Sequence, residues 1–163
     1  MSRLVATFFY VGLLRPAPGT WGSAVAVALG LVLHGLGSFP LLAVATVLAT
    51  IAGFWACHAE LKSRPGEDPS EIVIDEVAAQ WLALCFPSLG FWLMGLDNWN
   101  FPYPGWVAAF LFFRLFDIWK PWIIGRADRR HDWLGVMYDD LLAGVFAGVA
   151  TMVAAGAAHG LLM

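Results

Sequence analysis

The sequence predicts an all-α, membrane-embedded bundle of about four to five hydrophobic helices, with an acidic metal site at its cytoplasmic interface. Three observations predict it. Of the 163 residues, 60% are hydrophobic and 13% charged, against about 25% charged in soluble domains. The charges are also segregated, because no Asp, Glu, Lys or Arg occurs in 16–59, 77–96, 98–113 or 141–163. When the connecting segments are placed alternately on two sides, all nine Lys and Arg fall on one side, as cytoplasmic loops require. The length suits a single domain over 1–163. A net charge of -3 offers no basic excess for nucleic acid.

Taken in order, the expected spans lie near 21–37, 41–57, 77–96, 103–117 and 141–162. The first uncharged gap holds two of them, broken at Gly35-Leu36-Gly37-Ser38-Phe39-Pro40, a turn-forming cluster. Spans of about 15 to 17 residues reach about 22 to 26 Å against a hydrocarbon core of about 30 Å, so tilt, local thinning or re-entry is expected. Arg3 precedes an apolar stretch ending before Arg15, but no convincing cleavage site follows, and the segment is expected to be retained. Cys57 and Cys85 lie inside apolar runs and read as small buried hydrophobes. Trp92, Trp99 and Trp106 surround the outer turn, while Trp21, Trp119, Trp122 and Trp133 mark the inner interface.

Four carboxylates fall within Asp68-Pro69-Ser70-Glu71-Ile72-Val73-Ile74-Asp75-Glu76, directly ahead of an uncharged run. Asp68, Pro69 and Glu71 have the form of a helix start with a capping box. That reading puts Asp68 and Asp75, seven residues apart, within roughly 20° of one helix face, where one metal ion or one substrate meets both. Adjacent Asp75 and Glu76 repel each other and are costly to desolvate without a cation.

Pro18-Gly19-Thr20-Trp21-Gly22-Ser23 precedes the first span. It is either a capped turn or a set of backbone N–H donors for an anion. Arg114, Asp117 and Lys120 repeat every three residues before Pro121. They are either a basic helix end with an internal ion pair, or a phosphate-binding pair with Asp117 beside a metal. The segment from Asp128 to Asp132 is expected to be a solvated mixed-charge loop. Tyr138-Asp139-Asp140 again places two acids at the start of an uncharged helix, 141–163.

Together, Pro18-Gly19-Thr20-Trp21-Gly22-Ser23, Ile72-Val73-Ile74-Asp75-Glu76, the run Phe113 to Trp122 and Asp139-Asp140-Leu141-Leu142-Ala143-Gly144 resemble the phosphatidylglycerophosphatase A family over about residues 16 to 150. The resemblance implies an all-helical, Mg²⁺-dependent phosphatase of the bacterial cytoplasmic membrane that converts phosphatidylglycerophosphate to phosphatidylglycerol. Ala79, Ile123 and 131–134 depart from the family's pattern without removing a carboxylate.

Read beside it, the residues assign Asp75, Glu76, Asp139 and Asp140 to catalysis on one or two Mg²⁺ ions, for which Mn²⁺ can substitute, with Asp68 as a further metal ligand and Asp117 as a further catalytic acid, each touching the ion or a group that does. Lys120 and Arg114 bind phosphate, joined by Thr20, Gly22 and Ser23. The expected partners are the phospholipid substrate and the bilayer; oligomeric state is left open. A small cation transporter using the acidic cluster is the rival reading, and a scaffold bundle with an acidic rim is a third.

Overall fold

The structure, a computed structural model, describes residues 1–62, 69–130 and 132–162, with side chains as far as residue 159. Six α-helices occur among the described residues: α1 (Ser2–Ala6), α2 (Pro18–Leu61), α3 (Ile74–Leu93), α4 (Tyr103–Trp119), α5 (Ile123–Asp128) and α6 (Trp133–Leu162). Single 3₁₀ turns at Val11–Leu13 and Asn98–Asn100 complete the order. No strand occurs among the described residues.

Helix α2 is two helices. Gly37 (φ -150°, ψ 19°) and Ser38 (φ 55°, ψ -156°) leave helical geometry, and Pro40 follows where a new helix start does not need its N–H. The contacts give the directions of the two halves. Ala26 accepts a 2.7 Å hydrogen bond from the Trp81 indole, and His34 Nδ1 lies 2.7 Å from Ser88 Oγ, so 18–36 runs parallel to α3. Thr46 Oγ1 meets Cys85 Sγ at 3.5 Å, while Gly53 faces Ile74, so 39–61 runs the opposite way. The expected break at 35–40 is thus a reversal, and the five long segments are those the charge gaps outlined.

Helix α3 is the centre of the bundle. Val77, Ala78, Ala79 and Ala83 have no exposed surface, and α3 packs against α2, α4 and α6. Small residues permit this approach, because hydrocarbon offers helices no hydrophobic drive to associate and contact must come from close packing. At Gly144 of α6 an added Cβ would lie 2.5 Å from the Ala79 carbonyl oxygen, and at Gly148 it would lie 2.2 Å from the Phe86 ring. The N-terminal segment straps the α2–α3 connection: the Val73 N–H donates to the Ala6 carbonyl at 2.9 Å.

Pro18–Leu61 and Trp133–His159 are long and apolar enough to cross a membrane. On 39–61, Val44, Val47, Leu48, Ile51 and Trp55 recur at helical spacing and are all exposed, a face suited to lipid tails. The two bundle ends differ. One gathers 18–20, 69–76, 114–120 and 136–140 around an open cavity. At the other, Trp99 covers Gly35 and Phe39 stacks near Trp92.

Three local expectations are corrected. Helix α3 starts at Ile74, with Pro69 to Val73 non-helical, so Pro69 and Glu71 do not open it and no capping box forms; Asp68 lies outside the described residues. Helix α6 starts at Trp133, where Asp132 Oδ1 accepts the Gly135 N–H at 2.7 Å, a better cap than Asp139 because it precedes the first turn. Asp139 and Asp140 therefore sit two turns inside. The 18–23 motif is the first turns of α2 rather than a loop before it.

Gly144→Val should lower the midpoint of detergent unfolding by an amount equivalent to about 1–3 kcal/mol. Gly156→Val, where nothing lies within 4 Å of an added Cβ, should move it far less. Circular dichroism during titration with a denaturing detergent measures both.

Candidate active site

Four segments supply the cavity at the charged end. The start of α2 contributes Pro18, Gly19 and Thr20; the approach to α3 contributes Pro69, Ser70 and Ile72, then Asp75 and Glu76. Helix α4 brings Arg114 and Asp117, with Lys120 just past its end, and α6 brings Val136, Asp139 and Asp140. The cavity holds about 250 Å³, roughly eight times the ~30 Å³ share of a water molecule. That volume accommodates a phosphoryl group with water and leaves no room for lipid chains.

Asp75, Glu76 and Asp140 converge most closely. One carboxylate oxygen from each lies within 4.8 Å of the others, and Asp75 and Asp140 are nearly inaccessible. Asp75 Oδ1 accepts the Glu76 N–H at 2.9 Å, and Glu76 Oε2 is buried with no protein partner. Gly19 makes room for Glu76, since a Cβ there would lie 2.1 Å from Oε1. An all-oxygen set with an unpartnered buried oxygen suits a hard divalent cation, so these three residues fit Mg²⁺.

Asp139 does something different. Its Oδ2 lies 2.7 Å from Lys120 Nζ, and its Oδ1 is buried without a partner. The Lys120 ammonium is also gripped by Asp128. Burial alone would lower the Lys120 pKa, but the hydrogen bonds and charges of Asp128 and Asp139 outweigh it and raise the pKa above 10.5. Asp128 is therefore no member of a free solvated loop: α5 folds back and returns it to Lys120, eight residues earlier. Lys120 itself has left-handed backbone (φ 48°, ψ 55°) where α4 ends, ahead of Pro121, which disfavours continued helix in the residue before it.

Arg114 is fixed to the cavity wall by Asp117 Oδ2 at 2.7 Å and by Ser23 Oγ at 3.4 Å, and its Nε is buried without a partner. Thr20 lines the cavity; Gly22 and Ser23 do not. Gly22 packs on Val73, while Ser23 Oγ donates to the Gly19 carbonyl at 2.8 Å. The free helical donors at this terminus are the N–H groups of Gly19 and Thr20, because Trp21 already bonds Ala17. Of the residues singled out in the sequence, Asp75, Glu76, Asp139, Asp140, Asp117, Lys120, Arg114 and Thr20 share one cavity. Asp128 was missed, and so were the walls Pro69, Ser70, Ile72 and Val136, which carry no pattern beyond their neighbours.

Chemically, among the described residues, five carboxylates face two basic groups. A pair of unit charges at 4 Å and an effective dielectric of 20 interacts by about 4 kcal/mol, so an anion entering this cavity is repelled unless more positive charge joins the acids.

A family model described as Phosphatidylglycerophosphatase A matches residues 4–155. A Bacteroides thetaiotaomicron protein, provisionally named a phosphatidylinositol-3-phosphatase, is 37% identical over 93% of this chain and 91% of its own. Proteins named phosphatidylglycerophosphatase A from Haemophilus influenzae and Escherichia coli are 34% and 33% identical, each over 89% of this chain and over 83% and 78% of their own lengths. No solved structure matches.

Lys120→Met leaves Asp139 buried without its partner and should lower stability by about 1–3 kcal/mol. A lysine whose pKa is raised on folding stabilises fully below its unfolded value and loses that contribution only as pH climbs through the folded value. The loss in Lys120→Met should therefore not shrink between pH 8 and pH 9.5, read from detergent unfolding at each pH.

Proposed function

Because the chain belongs to the phosphatidylglycerophosphatase A family, we propose that it hydrolyses phosphatidylglycerophosphate to phosphatidylglycerol and inorganic phosphate, with Mg²⁺ held by Asp75, Glu76 and Asp140. One observation carries this reading: three convergent carboxylates and two fixed cations share a cavity at the end of apolar helices. A phosphomonoester is a dianion, and its hydrolysis needs both neutralised phosphoryl oxygens and an activated water. The ion, when bound, supplies positive charge against those oxygens and makes water in the site more acidic.

The chain's own groups do the remaining work. Lys120 and Arg114 bind the phosphate, assisted by the N–H groups of Gly19 and Thr20 at the positive end of α2. Asp117 and Ser23 hold Arg114 in place, and Asp139 holds Lys120. Water forms the new P–O bond as the bond to the glycerol oxygen breaks; the water's proton passes to a carboxylate of the cluster, and the departing alkoxide takes up a proton. Helix ends at headgroup depth let a lipid present its phosphate while its tails stay in the bilayer, which confines the reactants to one layer.

The proposed placement is multi-pass in the bacterial inner membrane, with the cavity facing the cytoplasm. It is supported by the basic residues: Arg114, Lys120, Arg126, Arg129 and Arg130 all lie at or next to the cavity end, and the far turn holds only Asp97. A cation transporter would need acids spaced along a path through the bundle. Among the described residues the acids other than Asp97 instead crowd at one end.

Phosphate release from phosphatidylglycerophosphate in micelles should require Mg²⁺ or Mn²⁺ and far exceed that from glycerol 3-phosphate at equal concentration. Phosphatidylinositol 3-phosphate is the third substrate to compare, given the name of the Bacteroides relative. Asp75→Asn, Glu76→Gln and Asp140→Asn should each lower kcat by about 10³-fold or more, the equivalent of several kcal/mol. Full turnover after exhaustive chelation would overturn the metal, and equal rates on lipid and glycerol 3-phosphate would overturn the lipid assignment.

For orientation, Asn98→Cys and Arg129→Cys can be labelled in intact cells with an impermeant maleimide, in a background with both native cysteines replaced. Position 98 should react and position 129 should not; the reverse pattern would invert the topology.

A further inference from the structure

We infer that Asp128 is a displaceable counter-ion for Lys120: it holds the ammonium while the cavity is free of phosphate, and an incoming phosphate group takes its place. The inference rests on the phosphatase reading for its biological meaning, though not for its test. Lys120 Nζ is shared by two carboxylates of unlike surroundings. Asp139 is 6% exposed, on the long helix α6, with its second oxygen buried. Asp128 is 40% exposed, at the last residue of the six-residue helix α5. Two carboxylates over-neutralise one ammonium, so a phosphate that met both would gain little attraction from Lys120. Of the two, Asp128 is the partner that can leave cheaply, because its carboxylate is already close to water and regains hydration when released.

The surroundings place this exchange at the lipid interface. Trp119 and Trp122 flank Lys120 and are 67% and 74% exposed, the behaviour of aromatic residues at headgroup depth. Asp128 thus touches Lys120 rather than the reacting atoms, and is a positioning residue. Its consequence is on affinity: competition for the ammonium weakens the site's hold on any phosphate, substrate and product alike, and lets inorganic phosphate depart as the carboxylate returns.

The test is the dissociation constant of inorganic phosphate, read by ³¹P NMR line broadening on the full chain in micelles with Mg²⁺ present. Asp128→Asn should lower it about two- to fivefold, the size expected for removing a half-exposed competing ion pair. Asp128→Glu should bring it back toward the unsubstituted protein. In a Lys120→Met background, Asp128→Asn should have almost no effect, because the competition acts through the ammonium. An unchanged or raised constant would overturn the inference, the latter meaning that Asp128 only aims Lys120. The same fall in the Lys120→Met background, marking a through-space charge effect, would overturn it, as would absence of phosphate binding by every variant. Phosphate binding with this pattern but no hydrolysis of any lipid would instead defeat the proposed function and leave the counter-ion role standing.

Discussion

The mutual repulsion of Asp75, Glu76 and Asp140 is the constraint on which the charged end of this bundle depends. Three carboxylates with oxygens within 4.8 Å of one another cannot stay ionised in a water-poor helix end without nearby positive charge. The chain supplies only part of that charge. Among the described residues, Arg114 and Lys120 are the basic ones lining the cavity, and both are committed to other acids, Arg114 to Asp117 and Lys120 to Asp139 and Asp128. The convergent trio is left with an unpartnered Glu76 oxygen, the feature most readily understood as a cation's coordination site.

Bringing the trio together requires helices whose backbones nearly touch. Gly19 lets the start of α2 sit over Glu76, and Gly144 lets α6, which carries Asp140, lie against the α3 backbone one turn beyond Asp75. These glycines act by what they lack, since a methyl group at either would collide with its neighbour. The apolar length of the helices then determines where the site lies. On the proposed membrane placement, with lipid tails around the exposed face of 39–61, the acids and bases would fall at the end of the hydrocarbon layer, the depth of a phospholipid headgroup.

Much of this was legible in the chain. The uncharged gaps outlined the long helices, and Gly37-Ser38 marked the reversal inside the first gap. The acids and bases that line the cavity were recognisable because a charge beside an apolar run is expensive and needs a reason. Local capping logic was less dependable. Asp68-Pro69-Ser70-Glu71 has the letters of a helix start, but the segment 69–73 is occupied instead by packing: Ile72 and Val73 are buried, and the Val73 N–H pairs with the Ala6 carbonyl of the N-terminal strap. Tyr138-Asp139-Asp140 looked like a helix entrance because charge stops there, while the helix itself starts at Trp133, capped by Asp132.

The amino-acid order by itself determined the all-helical class, the number of long segments and the residue types at the charged end, because each follows from hydropathy, backbone preference and the cost of burying charge. Tertiary structure alone decided how the acids divide. Asp139 and Asp140 are neighbours in sequence, yet successive residues on a helix point about 100° apart, so one faces Lys120 and the other Asp75 and Glu76. Asp128 shows the same limit: eight residues separate it from Lys120, no periodicity links them, and only the fold-back of α5 sets its carboxylate on the ammonium.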